Sequence, residues 1–223
     1  MGTFAFDVAH MLAGGMLVLS FVLLYQDRIT TTLNVFTLQA VVLSLSVAWQ
    51  ALIQDAPHLL VTAAVALVVK GIVVPTALHR IVRRLGIHRE IEEVISAGPT
   101  MLTGLGLVAL SIMLMLPVGQ NVSILVREDL AFALAVVLLG FLMMITRRNA
   151  VTQIVGFMSM ENGLVLAASG AKGMPLVVEI SVAFSILIAF IVFGVFVFRI
   201  RERFDTVDIG ALDKFRGDKR HQP

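Results

Sequence analysis

The sequence predicts an all-α integral membrane protein of about seven transmembrane helices, on three observations. Of its 223 residues 58% are hydrophobic and only 14% charged, against roughly 45–50% and 25% for a soluble domain. The apolar residues gather into seven runs near the roughly 20-residue length that a hydrocarbon core about 30 Å thick demands of a helix. The Lys and Arg residues fall almost entirely between alternate runs, as they do in multi-span proteins.

The runs lie near 4–25, 33–53, 58–79, 100–117, 129–146, 150–170 and 175–198. The first opens without the positive flank of a secretory signal, so it reads as a retained helix. The third contains Lys70 and Pro75. Between the third and fourth, RIVRRLGIHREIEEVISAG fits either a helix extension with an interfacial amphipathic piece or a solvated linker. Gly98-Pro99 opens the fourth helix, where the missing N–H of proline does no harm. The sixth begins after Arg147-Arg148-Asn149 and carries Glu161, and the seventh carries Glu179 near its start.

Orientation follows from the basic residues. Arg28, the group Arg80, Arg83, Arg84 and Arg89, the pair Arg147 and Arg148, and the basic tail all fall on one side of a seven-span chain. Only Lys70, Arg127 and Lys172 stand outside that set. The positive-inside rule then puts the N-terminus outside and the C-terminus in the cytoplasm. The chain divides into a three-helix unit with its cytoplasmic segment (1–98), a linking helix and outer loop (99–128), a second three-helix unit (129–203) and a tail (204–223). Equal intervals separate Arg28 from Arg80 and Arg147 from Arg199. That spacing fits a parallel duplication or two generic three-helix units.

Ionisable groups inside spans are the candidate site, because a charge at the bilayer centre costs roughly 2.5–3.5 kcal/mol on insertion scales. Lys70 stands ten residues before Arg80, about 15 Å along a helix and so near the midplane. Ala63, Ala66 and Ala77 share its face, which points the lysine into a close helix contact. Pro75 cannot donate to the carbonyl of Gly71, so a kink is expected beside the lysine. Lys70 is then a relay group or a structural charge. Glu161 follows Arg148 by 13 residues, about 20 Å, within about a helical turn of the depth of Lys70, so the two can pair. Gly156, Ser159, Gly163, Ala167 and Gly170 form a stripe of small residues suited to close packing. Glu161 projects from nearly the opposite side, which hems this helix in on two faces. Asn162 adds a second hydrogen-bonding group. Glu179 falls near the outer boundary, with Ser181 and Ser185 deeper on its helix. Asp7, His10 and His58 read as boundary residues, and Trp49 and Tyr25 as interfacial aromatics.

Other chemistries are excluded by what the sequence lacks. With no cysteine, the chain holds no disulfide, thiolate metal site or iron–sulfur cluster. It has no nucleophile elbow, no phosphate-cradling glycine loop and no HExxH, and its five histidines are scattered. No cofactor bound by this chain and no nucleic-acid partner is expected.

The order RRNAVTQIVGFMSMENGLVLA, a turn, a glutamate-bearing last helix and the tail FDTVDIGALDKFRGD resembles the 4L-type subunit of respiratory complex I. With four further spans in front, the whole chain resembles the component E family of hydrogenase-4, membrane subunits of group 4 nickel–iron hydrogenase and formate hydrogenlyase complexes. The resemblance rests chiefly on residues 130–217. It implies a non-catalytic subunit in a bacterial or archaeal cytoplasmic membrane, set among lipid and antiporter-like subunits and contributing carboxylates to a proton or sodium path. Nickel–iron and iron–sulfur centres would reside in partner subunits. Glu161 matches the carboxylate of that family's middle helix, one turn further from the arginine pair. Glu179 is the nearest match to the last-helix carboxylate, although it lies closer to the outer surface, and the deeper position is Ser185. Two other readings stay open: a subunit of a multisubunit cation/proton antiporter and a purely structural membrane anchor.

Overall fold

A computed structural model describes residues 2–85, 96–115, 117, 124–170, 187 and 194. Within them the ordered backbone is helical: α1 (Gly2–Tyr25), α2 (Ile29–Gln54), α3 (Pro57–Ala66), a π-helical segment (Leu67–Val73), α4 (Val74–Leu85), α5 (Ala97–Met115), α6 (Ile124–Thr146) and α7 (Ala150–Gly170). Taken with α3, the π segment and α4 as one continuous span, six helices among the described residues are long and apolar enough to cross a membrane. They coincide with the first six runs in the sequence. The run at 175–198, with Glu179 and Ser185, lies outside the described residues, as does the amphipathic piece beyond Leu85.

Tight connections fix the antiparallel packing. The end of α2 turns on Asp55, whose φ of 52° is left-handed, a conformation that aspartate tolerates better than most residues. The Ala56 N–H then bonds the Ala51 carbonyl at 3.0 Å, the wrap-around bond of a Schellman-type stop, and Pro57 starts α3. At the other end of the bundle Asn149 caps α7, its Oδ1 accepting the Val151 N–H at 2.8 Å.

Helices α1, α2, α6 and α7 pack together; α5 lies outside against α6 and α1, and the α3–α4 span lies outside against α2. The apolar core comes in two clusters. One gathers Leu23, Leu33, Phe36, Val74, Leu78, Leu139 and Met158. The other gathers Met16, Leu43, Ala63, Ala133 and Val165. On α1, α2, the third span and α7 the two clusters occupy opposite halves, with buried polar side chains between them: Ser20, Gln39, Lys70, and Ser159, Glu161 and Asn162. Many large apolar side chains face outward, among them Leu102, Leu105 and Met113 on α5, as a lipid-facing surface requires.

The third span has a feature beyond the expected irregularity at Pro75. Just before the proline the chain widens into the Leu67–Val73 π-helical turn, with the Val74 N–H bonded to the Val69 carbonyl five residues back. Pro75 offers no donor to the helix, and a widened turn beside it is one way to accommodate the missing bond.

Candidate functional site

The polar layer between the two apolar clusters is a connected set of side chains. On the π turn Lys70 is 1% exposed, and Ala63 and Ala66 of the preceding helix are buried beside it. Its Nζ donates to Asn162 Oδ1 at 2.9 Å and lies 3.2 Å from Glu161 Oε1, with the two charged side chains only 1% and 4% exposed. Adjacent positions on α7 thus grip one ammonium, which the widened turn carries to them. Asn162 Nδ2 in turn donates to Gln39 Oε1 at 3.2 Å. Gln39 Nε2 spends its two hydrogens on Ser20 Oγ at 2.9 Å and Ser159 Oγ at 3.0 Å. The Ser20 hydroxyl then donates to the Met16 carbonyl. Every donor in this series runs the same way, from the ammonium through two amides to two hydroxyls. Four membrane-crossing segments are tied by it.

This arrangement holds a charge pair that is almost wholly buried, and it offers a lysine and a carboxylate within proton-transfer reach. Among the described residues no cluster of three or more His, Asp or Glu side chains is placed to hold a metal ion.

The residues singled out from the sequence divide as follows. Lys70, Glu161 and Asn162 come together. Gly71 and Pro75 flank the lysine and line a separate cleft. Glu179 and Ser185 lie outside the described residues. The small-residue stripe is partly as expected. A Cβ on Gly156 would stand 3.1 Å from the Gly140 carbonyl, and one on Gly163 would stand 2.8 Å from the Ala133 carbonyl, both on α6. Ser159 departs from the stripe because its hydroxyl serves Gln39.

Three buried polar residues were not anticipated from the sequence as buried partners. Gln39 is fully buried in α2; the signal was a glutamine amid VFTLQAVVL, with no charge to draw notice. Ser20 is hidden the same way in α1. Arg147 reads as a loop cation, yet it is buried, and its guanidinium donates to the Leu24 carbonyl at 2.6 Å and the Gln26 carbonyl at 2.9 Å. A cation at a helix C-terminus complements the exposed carbonyls there. At the other end of the bundle His10, read as a boundary residue, bonds Asp129 Oδ1 at 3.0 Å, and the Trp49 indole donates to the Ala5 carbonyl.

No protein-family model and no solved structure matches the chain. Curated relatives do. Hydrogenase-4 component E of Escherichia coli K12 is 29% identical over 214 residues, covering 94% of this chain and 98% of that one. The Shigella flexneri protein of the same description gives the same values. An uncharacterized protein of Mycobacterium tuberculosis is 27% identical over 207 residues, 92% of this chain and 94% of its own. Coverage this wide takes the similarity well beyond the C-terminal stretch on which the sequence resemblance chiefly rested. The chain, a multi-pass membrane protein by its helices, is thus similar along nearly its whole length to hydrogenase-4 component E proteins.

Proposed function

We propose that this chain is a membrane subunit of a hydrogenase-type, complex I-like assembly, that it packs against antiporter-like subunits, and that Lys70 and Glu161 form a station on a proton or sodium path. The membrane and hydrogenase parts of the reading draw on the relatives' description. The ion path draws on one observation: a lysine–carboxylate pair at 3.2 Å, almost wholly buried between membrane-crossing helices. Burying two charges costs about as much as their attraction returns, so stability alone is a weak reason to keep them there. In membranes such groups mark ion paths and proton relays. Electron chemistry belongs to partner subunits.

A structural reading has its own support, because the same side chains clasp four segments. One experiment separates the two. Glu161→Gln keeps the volume and an oxygen for Lys70 but removes the titrating group. In sealed vesicles carrying the whole assembly, the variant is expected to assemble and turn over while moving fewer protons per turnover. An unchanged ratio would make the pair a clasp.

A further inference from the structure

Where α4 ends the third span, a second polar feature takes no part in the Lys70 network. Thr37 of α2, with Gly71, Pro75, Thr76, His79, Arg80 and Arg83, lines a cleft of about 350 Å³. That lies at the low end of ligand-holding clefts, roughly 300–1,000 Å³, enough for a phosphodiester headgroup and too small for a whole lipid. Thr76, His79, Arg80 and Arg83 recur at helical spacing and share one face of α4. Arg80 and Arg83 are exposed, and neither has a hydrogen-bond or ion-pair partner among the described residues. Among the described residues no carboxylate lines the cleft. The His79 Nδ1 lies 2.9 Å from the Pro75 carbonyl; a carbonyl only accepts, so Nδ1 donates this bond.

Two guanidiniums repel cations, so the lining suits neither a proton nor a sodium inlet. They match phosphate oxygens well, since the planar fork of arginine donates in pairs. Ile72 and Val73, one turn nearer the middle of the span, are exposed apolar side chains, so hydrocarbon continues directly beyond the cleft. Basic pockets between membrane helices at the charged end of a span take anionic headgroups. We propose that this cleft binds the phosphate headgroup of an anionic phospholipid, held by Arg80 and Arg83, with its acyl chains on the Ile72–Val73 surface.

The test uses the full-length chain extracted in mild detergent with whatever subunits it retains. It is exchanged into an equal mixture of phosphatidylglycerol and phosphatidylcholine, and bound lipid is counted by mass spectrometry. Wild-type protein is expected to retain phosphatidylglycerol on the order of tenfold over phosphatidylcholine, from two arginines near the surface. R80Q/R83Q should lose that excess, whereas Arg148→Gln, an exposed basic change elsewhere, should keep it. Thr76→Trp fills the cleft without touching either charge and should lose the excess too; it decides the matter if the double variant fails to accumulate. Equal retention of the two lipids, or an excess that survives Thr76→Trp, would overturn the proposal. Displacement by millimolar inorganic phosphate as readily as by phosphatidylglycerol would assign the cleft to free phosphate instead.

Discussion

Toward α6, helix α7 presents Gly156 and Gly163; toward α2 and the π turn it presents Ser159, Glu161 and Asn162. On the first side the helices meet backbone to backbone. A Cβ on Gly140 would come within 2.5 Å of the Met160 nitrogen, so the contact exists because side chains are absent. On the second side polar side chains reach across and are satisfied by one another. Lipid tails are as apolar as leucine, so helices in a membrane gain little by hiding apolar surface from them. Close van der Waals approach and interhelical hydrogen bonds remain, and α7 uses one on each side. The glycine side leaves no room for an added Cβ. The polar side is expected to be more sensitive to charge balance than to shape.

That contrast breaks most sharply at Lys70. Lys70→Met takes the ammonium from Glu161 and is expected to cost about 3–5 kcal/mol, the range for losing one member of a buried pair. Lys70→Met combined with Glu161→Gln should recover much of the loss. Thermal unfolding in detergent of both single variants and the double checks this; a double variant as unstable as the sum of the singles would mean the two do not act as a pair.

The glycine side comes next. Gly163→Ala, and equally Gly140→Ala, forces backbone apart and should cost about 1–3 kcal/mol, visible as lower yield and a lower Tm. Gly14, whose Cβ would meet nothing within 4 Å, is the control, and Gly14→Ala should be close to neutral. Equal effects at Gly163 and Gly14 would mean α6 and α7 are not in contact.

Gln39 gives the smallest effect and the finest test. Gln39→Leu removes three hydrogen bonds, each worth roughly 0.6 kcal/mol in membrane-protein cycles, and should cost about 1–2 kcal/mol in unfolding. Gln39→Glu leaves the packing nearly unchanged but adds a carboxylate near Lys70 through Asn162. It should disturb the network more than the leucine does, if charge balance governs that side.

The first six spans and the matching levels of Lys70 and Glu161 along their helices were legible because both follow from fixed lengths. A bilayer sets the run of apolar residues, and 1.5 Å per residue turns a count from Arg80 or Arg148 into a depth. The two faces of α7 were legible as well, since glycines and a glutamate are plain marks on a helical wheel. The widened turn at Lys70 was not, because Pro75 withholds a donor whether the chain kinks or changes register, and packing decides between them. Gln39 and Ser20 were illegible for a different reason: an uncharged polar residue in an apolar helix becomes conspicuous only when its partners from other helices arrive. The burial of Arg147 was illegible because nothing nearby in the chain shows that it folds back onto carbonyls at the end of α1.

Lys70 and Asn162 stand 92 residues apart in the chain, which has a consequence for the order of synthesis. At roughly 5–20 residues per second, the lysine leaves the ribosome some 5–20 s before its partners exist. During that interval the third span carries an unmatched ammonium, and its flexible stem can hold that charge at the interface. The span is therefore expected to settle to its final depth only after α7 arrives, so that insertion would not be a simple procession from first helix to last. A nascent chain arrested before Met160 should leave a cysteine placed at Val69 open to a water-soluble thiol reagent, and one arrested after Gly170 has emerged should protect it.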